Sequence, residues 1–291
     1  MFNILQEYKK VLAKLRNLHL FSIYGKIGLV FVLLVVLTGI ISVMFMGNAH
    51  KIPSGGSLEA PGLIHPLGTD DLGIDILAQI AHGAFISIQV GLFSAVLAGM
   101  GGSMLGILAG YCGGWTDKFI MGICDIMMII PQLPLMIVLG AFFGPSLRNI
   151  ILVIVILSWS RPARTVRASV LSMCQEGYII TAKSYGASFR HLAARHFIPG
   201  IFPVILVSVI RIISSAIRAE AGLTFLGLGD PTSKSWGVIL NRSINFSGIY
   251  FTDYWKWWVI APLAVLILLV LSISFIARDM ELLLTNKGDK P

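Results

Sequence analysis

Charge is what this chain is short of. Only 12% of its 291 residues are Asp, Glu, Lys or Arg, about half the share usual in a soluble domain, while 56% are hydrophobic. That balance excludes an ordinary soluble fold and describes an integral membrane protein. Cysteine is scarce too: Cys112, Cys124 and Cys174 show no paired spacing, which argues against a disulfide framework. The histidines are scattered, with no pair at ligand spacing on one apolar helix, so no metal site is expected. The phosphate-cradling pattern Gly-x-x-x-x-Gly-Lys-Ser/Thr is missing, as are Gly-x-Ser-x-Gly and His-Glu-x-x-His. No nucleophile and base pair stands out, so no catalytic residue is assigned and the chain does not read as an enzyme. A net charge of +8 would suggest nucleic acid in a soluble protein. Here the basic residues flank apolar runs, where they set orientation, and no nucleic-acid partner is expected.

What is present is apolar length. The run Ile27 to Met46 is uncharged, and a helix rising about 1.5 Å per residue crosses the roughly 30 Å hydrocarbon layer over such a length. It gives a first span at 27–47, and the basic lead-in of residues 1–26 is too long for a cleaved signal, so the helix is expected to be retained. That lead-in carries apolar residues at helical spacing from Phe2 to Tyr24, which predicts a helix along the inner membrane surface. A second span from about Ala84 to Gly110 is rich in small residues (Gly91, Ala95, Ala98, Gly99, Gly101, Gly102, Gly106), which let backbones approach closely and predict an interior helix. The third, Phe119 to Phe143, holds Pro131 and Pro134 and should kink. The fourth starts near Ile150, looks short by Trp159 and can continue past Pro162. The fifth runs from about Phe202 to Phe225 in spite of Arg211, Arg218 and Glu220, and the sixth from Trp257 to Ala277. Irregular backbone leaves polar groups unsatisfied in lipid, so the fold class expected is an all-α membrane protein with six transmembrane helices.

Fifteen Lys and Arg residues fall on one side of these crossings and five on the other. The richer side takes both termini, including the tail 281–291, and is assigned to the cytoplasm. The loops left outside, 48–83 and 227–256, are long enough to be candidate surfaces for an external partner.

The polar stretch Arg161 to Pro199 is the remaining feature. Arg161, Arg164 and Arg167 recur every three residues, and spacing alone favours a helix end whose guanidinium groups snorkel to the headgroups. The segment that follows, Gly177-Tyr-Ile-Ile-Thr-Ala-Lys-Ser-Tyr-Gly-Ala-Ser188, then Arg195-His-Phe-Ile-Pro-Gly200 and Pro203, closely resembles the coupling loop of ABC importer permeases. His65-Pro-Leu-Gly-Thr-Asp70 with Gly73, the stretch from Asp125 to Pro131, Glu220-Ala-Gly-Leu-Thr-Phe-Leu-Gly-Leu-Gly229 and Ser235-Trp-Gly237 look like the peptide and nickel branch of that family. Where the family often has Glu-Ala-Ala, this sequence reads Ile180-Thr181-Ala182.

The resemblance implies a type I importer permease core over 84–280, with a coupling loop at about 161–199. It implies contact with an ATPase through Glu176, Tyr178, Thr181, Ala182, Lys183, Gly186, Ala187, Ser188 and Pro199. Its implied partners are a homologous second permease subunit, two cytoplasmic ATPases and an external solute-binding protein in a prokaryotic inner membrane. ATP is used by the partners, and no cofactor is bound by this chain. Short peptides are the implied cargo, with nickel or metal chelates as alternatives. Physically, a short helix ended by Gly186 forms a rigid knob and Pro199 starts the return to the membrane. The rival reading is a secondary transporter driven by an ion gradient, a class that often shows internal repeats; none is found.

Arg211 and Arg218 are two helical turns apart and share a face with Ser214 and Ser215. Charges within lipid favour the bundle interior or water, so Arg211, Ser214, Ser215, Arg218 and Glu220 are expected to line the pathway, where the cations attract a substrate carboxylate. The competing expectation pairs Arg218 with Glu220 or with another helix, or places it near an interface because the fifth span is misplaced by a turn. Asp125, near the inner end of the third span, is expected to pack structurally.

Overall fold

A computed structural model describes residues 21–285. The expected surface helix at 2–24 lies outside the described residues apart from its last few positions, as does the end of the tail. The first helix, α1 (Ile23–Phe45), starts earlier than hydropathy suggested because Ser22 caps it, its hydroxyl accepting from the amide of Gly25. There follow α2 (Ile76–Cys112), α3 (Gly114–Ile129), α4 (Gln132–Phe143), α5 (Leu147–Ser158), α6 (Ser160–Cys174), α7 (Gly177–Ser184) and α8 (Phe189–Leu192). A π-helical turn at Ala193–Phe197 leads into α9 (Ile198–Phe225); α10 (Trp236–Asn245), α11 (Trp255–Trp258) and α12 (Ile260–Thr285) complete the described residues.

Among the described residues, five helical stretches are long and apolar enough to cross a membrane, and a sixth crossing results if α3 and α4 count as one broken span. The break is sharper than the expected kink. Ile130 is held extended at ψ 128°, as the residue before a proline prefers, and α3 and α4 meet at 94°.

The 37-residue α2 is the central strut, packed against α1, α3, α5, α6 and α9. Its small residues divide by face. Gly91 and Gly99 admit Ile217, Ile213 and Val209 of α9, whereas Gly102, Gly106 and Gly110 meet the backbone of α5 and α6. A Cβ on Gly102 would lie 2.3 Å from the carbonyl oxygen of Trp159, and one on Gly106 would lie 2.4 Å from that of Ala163. Glycine at these two positions is therefore what lets the helices touch. Gly101 faces open space.

Helices α1, α2, α9 and α12 close a ring around one apolar core that includes Val35, Ile80, Ile217, Leu269 and Ile273. Most of the outer face of α1, including Leu33, Leu34, Leu37 and Phe45, is exposed, as a lipid-facing helix requires. Its start is tied to α12 by Asp279, whose Oδ2 accepts from the amide (2.9 Å) and hydroxyl (2.6 Å) of Ser22.

At the end away from α7, the loops flanking α1 and α10 fold onto each other. Asp70 is fully buried and accepts from the amides of Leu72 and Ile74 and from Gln79 Nε2. The Arg242 guanidinium hydrogen-bonds Asp71 Oδ2 at 3.1 Å. Trp236, also fully buried, donates its indole N–H to the Ile80 carbonyl at 2.9 Å. These contacts give the His65–Gly73 and Ser235–Gly237 stretches a structural job. Beside them His50 and His82 stack with ring centroids 3.6 Å apart.

Candidate functional site

Two features stand out, and α6 and α9 belong to both. The first is the elbow from Cys174 to Pro199. Glu176 is the N-cap of α7 through its carbonyl, which accepts from Ile179 (3.0 Å) and Ile180 (3.1 Å), while its carboxylate makes no capping bond. The helix buries one position and leaves apolar as well as polar side chains exposed. Ile179 is fully buried in a cluster with Val166 and Val170 of α6 and Leu192, Phe197 and Ile201. Tyr178, Ile180, Thr181 and Tyr185 are exposed, Tyr185 at 88%.

Gly186 ends α7 with a φ of +79°, and the Gly186 amide donates to the Lys183 carbonyl while that of Ala187 donates to the Ala182 carbonyl. That pair of bonds is a Schellman termination, which needs a residue content with left-handed backbone. Ala182 and Ala187 are half-buried under it, against the same cluster as Ile179. Lys183 places its Nζ over the Tyr111 ring of α2, 4.6 Å from the centroid. Ser188 caps α8, its hydroxyl accepting from His191 N–H.

The return to the bundle starts at Phe189, not at Pro199. Helical backbone runs from Phe189 to Phe225, and Pro199 is the second residue of α9. A proline is tolerated in a first turn, where its missing N–H costs nothing, and here the wide π turn precedes it. The segment 161–199 is thus mostly helix rather than loop. Two of the three arginines spaced for snorkelling are instead paired: Arg164 with Asp125 and Arg167 with Asp117, both on α3. Asp125 thereby links two helices, as its structural assignment required.

The second feature is a cavity of about 460 Å³ bounded by α5, α6, α9 and α12, with Gln132 at the start of α4 at its edge. Each helical wall contributes residues spaced by three, four and seven: Ser158, Arg161 and Thr165 from α5 and α6; Arg211, Ser214, Ser215 and Arg218 from α9; Ser274, Arg278 and Glu281 from α12. That spacing puts each set on one helix face, so the lining is a basic surface studded with hydroxyls. Arg211 pairs with Glu281, and Arg278 lies 3.4 Å from Asp279. Arg218 Nη1 donates to Ser214 Oγ at 2.8 Å.

Four of the five residues expected to line a pathway share this cavity, and Glu220 does not. Glu220 is completely buried, its carboxylate accepting from Ser87 of α2 at 3.2 Å and from Thr224 at 3.4 Å. Two positions beyond Arg218 on a helix is a turn of about 200°, which carries Glu220 away from the cavity face and rules out an Arg218–Glu220 pair. Sequence reasoning missed Arg161, Arg278 and Glu281 as lining residues. The signal was the three-, four- and seven-residue spacing of polar groups at the ends of the fourth and sixth spans.

The family model described as binding-protein-dependent transport system inner membrane component matches residues 102–281, a range holding the whole elbow and cavity. The chain is 39% identical over 186 residues to the glutathione transport system permease protein GsiD of Pectobacterium atrosepticum, covering 64% of this chain and 62%, under two thirds, of that protein. It is 33% identical over 257 residues to the dipeptide transport system permease protein DppC of Alkalihalophilus pseudofirmus, covering 88% and 83%. A putative peptide permease protein of Brucella suis is 32% identical over 261 residues, covering 89% and 85%.

Proposed function

The chain belongs to the family of binding-protein-dependent transport system inner membrane components, with the type I importer permease fold, and from that premise we propose that it forms half of the translocation pathway of an ATP-driven importer of short peptides. The peptide cargo is supported by the printed descriptions of the dipeptide, peptide and glutathione permeases it is similar to. The other half of the pathway is a homologous permease subunit. Two cytoplasmic ATPases and an external solute-binding protein complete the assembly.

The observation that carries the reading is mechanical. An exposed α7 stands on a fully buried base, Ile179 with Val166 and Val170 of α6, Leu192 of α8, Phe197 of the π turn and Ile201 of α9, and α6 and α9 also wall the basic cavity. Packed interiors transmit displacement rather than absorb it. A push on Tyr178, Thr181, Lys183 and their exposed neighbours is passed as a rigid-body movement to Arg161 and Arg218.

The excess of basic residues on the side of α7 supports a cytoplasmic position for that end and for both termini. The opposite end, where Trp236 and Arg242 lock the two long loops together, then faces the binding protein. ATP binding draws the ATPases together, α7 moves, and the cavity opens outward; hydrolysis resets it. The cavity, with Arg211, Ser214, Ser215 and Arg218 in its wall, is the pathway through this half.

The test is a pull-down with reconstitution. An ATPase subunit should co-purify with the intact chain, and deletion of Tyr178–Gly186 should release it. Solute uptake into proteoliposomes by the permease pair alone, with no ATPase present, would overturn the proposal and favour a gradient-driven carrier.

A further inference from the structure

The arginines of the helices around the cavity are not equivalent. Arg164, Arg167, Arg211 and Arg278 each lie against a carboxylate: Asp125, Asp117, Glu281 and Asp279. The others, Arg148 of α5, Arg161 and Arg218, have no acidic partner among the described residues, and of these Arg161 and Arg218 line the cavity. Both side chains are exposed in this chain, so their charge is open to the cavity, and two guanidinium groups without a carboxylate that face one space mark a place for an anion.

Arg218 is oriented for the task. One guanidinium nitrogen is held by Ser214 Oγ at 2.8 Å, and that hydroxyl lies 3.4 Å from Ser274 Oγ on α12. Its remaining N–H groups have no hydrogen-bond partner among the described residues, and the side chain lines the cavity. Arg161 sits just past the break at Trp159 between α5 and α6, where the side chain has no hydrogen-bond partner among the described residues. A volume of about 460 Å³ lies within the roughly 300–1,000 Å³ of small-ligand sites.

We propose that Arg161 and Arg218 form a carboxylate-binding subsite that takes the terminal carboxylate of the passing solute. Arg211, already neutralised by Glu281, ties α9 to α12 at the cavity edge and does not grip cargo. The inference rests on the pathway reading of the cavity and adds a chemical class to it. Two guanidinium groups reward a planar anion with charge-assisted hydrogen bonds, and neutral solutes of the same size gain nothing from them.

The experiment uses the assembled transporter in nanodiscs without binding protein, with N-acetyl-alanine and its amide as probes. The acid at millimolar concentration should raise the melting midpoint of the wild type and the amide should not; R161Q/R218Q should respond to neither. In proteoliposomes with binding protein, R161Q/R218Q should lose about tenfold or more in solute moved per ATP, the range expected for charged hydrogen bonds. Its ATPase stimulation by the loaded binding protein should stay within about twofold of wild type, and R161K/R218K, which keeps both charges but not the planar fork, should recover the transport only in part. Equal shifts with acid and amide, no shift with either in the wild type, or undiminished uptake in the double Gln variant overturns the subsite. A collapse of ATPase stimulation that R161K/R218K does not repair also overturns it, since the pair would then be structural. A wild-type complex that shows no ATP-driven uptake sinks the importer reading itself, so the two failures are told apart.

Discussion

Adding a single methyl group at Gly106 tests the idea that α6 is held at backbone contact by the glycines of α2. An alanine Cβ there would stand 2.4 Å from the carbonyl oxygen of Ala163 and 3.0 Å from Val166 Cβ. Ordinary contact begins near 3.4 Å, so α6 must retreat by about 1 Å. The neighbours leave no slack: Gly102 meets Trp159 one turn away, and Gly110 meets Arg167 and Val170 on the other side. Overpacking of this kind costs about 1–3 kcal/mol, equivalent to a fall of several degrees in melting midpoint. The same retreat carries Arg164 and Arg167 away from Asp125 and Asp117 and loosens the seat of α7, so solute moved per ATP should fall more than ATPase activity does. Gly101→Ala is the control. Its Cβ meets nothing within 4 Å, and alanine is favoured over glycine inside a helix by about 0.5–1 kcal/mol. The assay is thermal unfolding of the purified complex together with coupled transport. If Gly106→Ala and Gly101→Ala melt together and couple equally well, close contact between these helices is not what positions α7.

Gly186→Ala should strain the +79° backbone by about 1–2 kcal/mol with no steric clash, since the space around it is open. ATPase retention in a pull-down should weaken severalfold while the chain still folds, and Gly186→Asn should be milder. Asp279→Ala removes the acceptor of two Ser22 hydrogen bonds and should cost about 1–3 kcal/mol, read as a lower melting midpoint; an unchanged midpoint would show the clasp to be idle. His50 is held neutral to a pKa of about 4 by burial, with His82 and Lys51 adding to the effect. Because the folded value lies below the ordinary 6.5, the unfolded chain binds more protons between the two, and stability should fall as pH drops from about 6.5 to 4. His50→Phe should flatten that acid limb in a melting series.

The features that a short stretch of chain decides alone were readable from sequence. The end of α7 needs only Gly186 and the carbonyls of Lys183 and Ala182, and the six apolar crossings need only length and composition. The 94° break between α3 and α4 was half legible: Pro131 announced a kink, but the extended backbone it imposes on Ile130 turns the kink into a corner. The cavity was less so. The Arg211–Arg218 stripe of α9 declares itself by spacing, whereas Ser274, Arg278 and Glu281 become its opposite wall only because α12 happens to pack there. Glu220 was misplaced because proximity in sequence stood in for direction around the helix. The partners of Arg164 and Arg167 lie 39 and 50 residues away, and nothing local names them.

The clasp between Ser22 and Asp279 joins residues 257 positions apart, so the bundle's opening helix is fastened by its closing one. During synthesis α1 enters the bilayer long before Asp279 has been translated, so its first turn, capped locally by Ser22, must wait for residue 279 before the clasp can close. A chain truncated anywhere short of residue 279 therefore keeps the cap of α1 but leaves its start unfastened from the rest of the bundle.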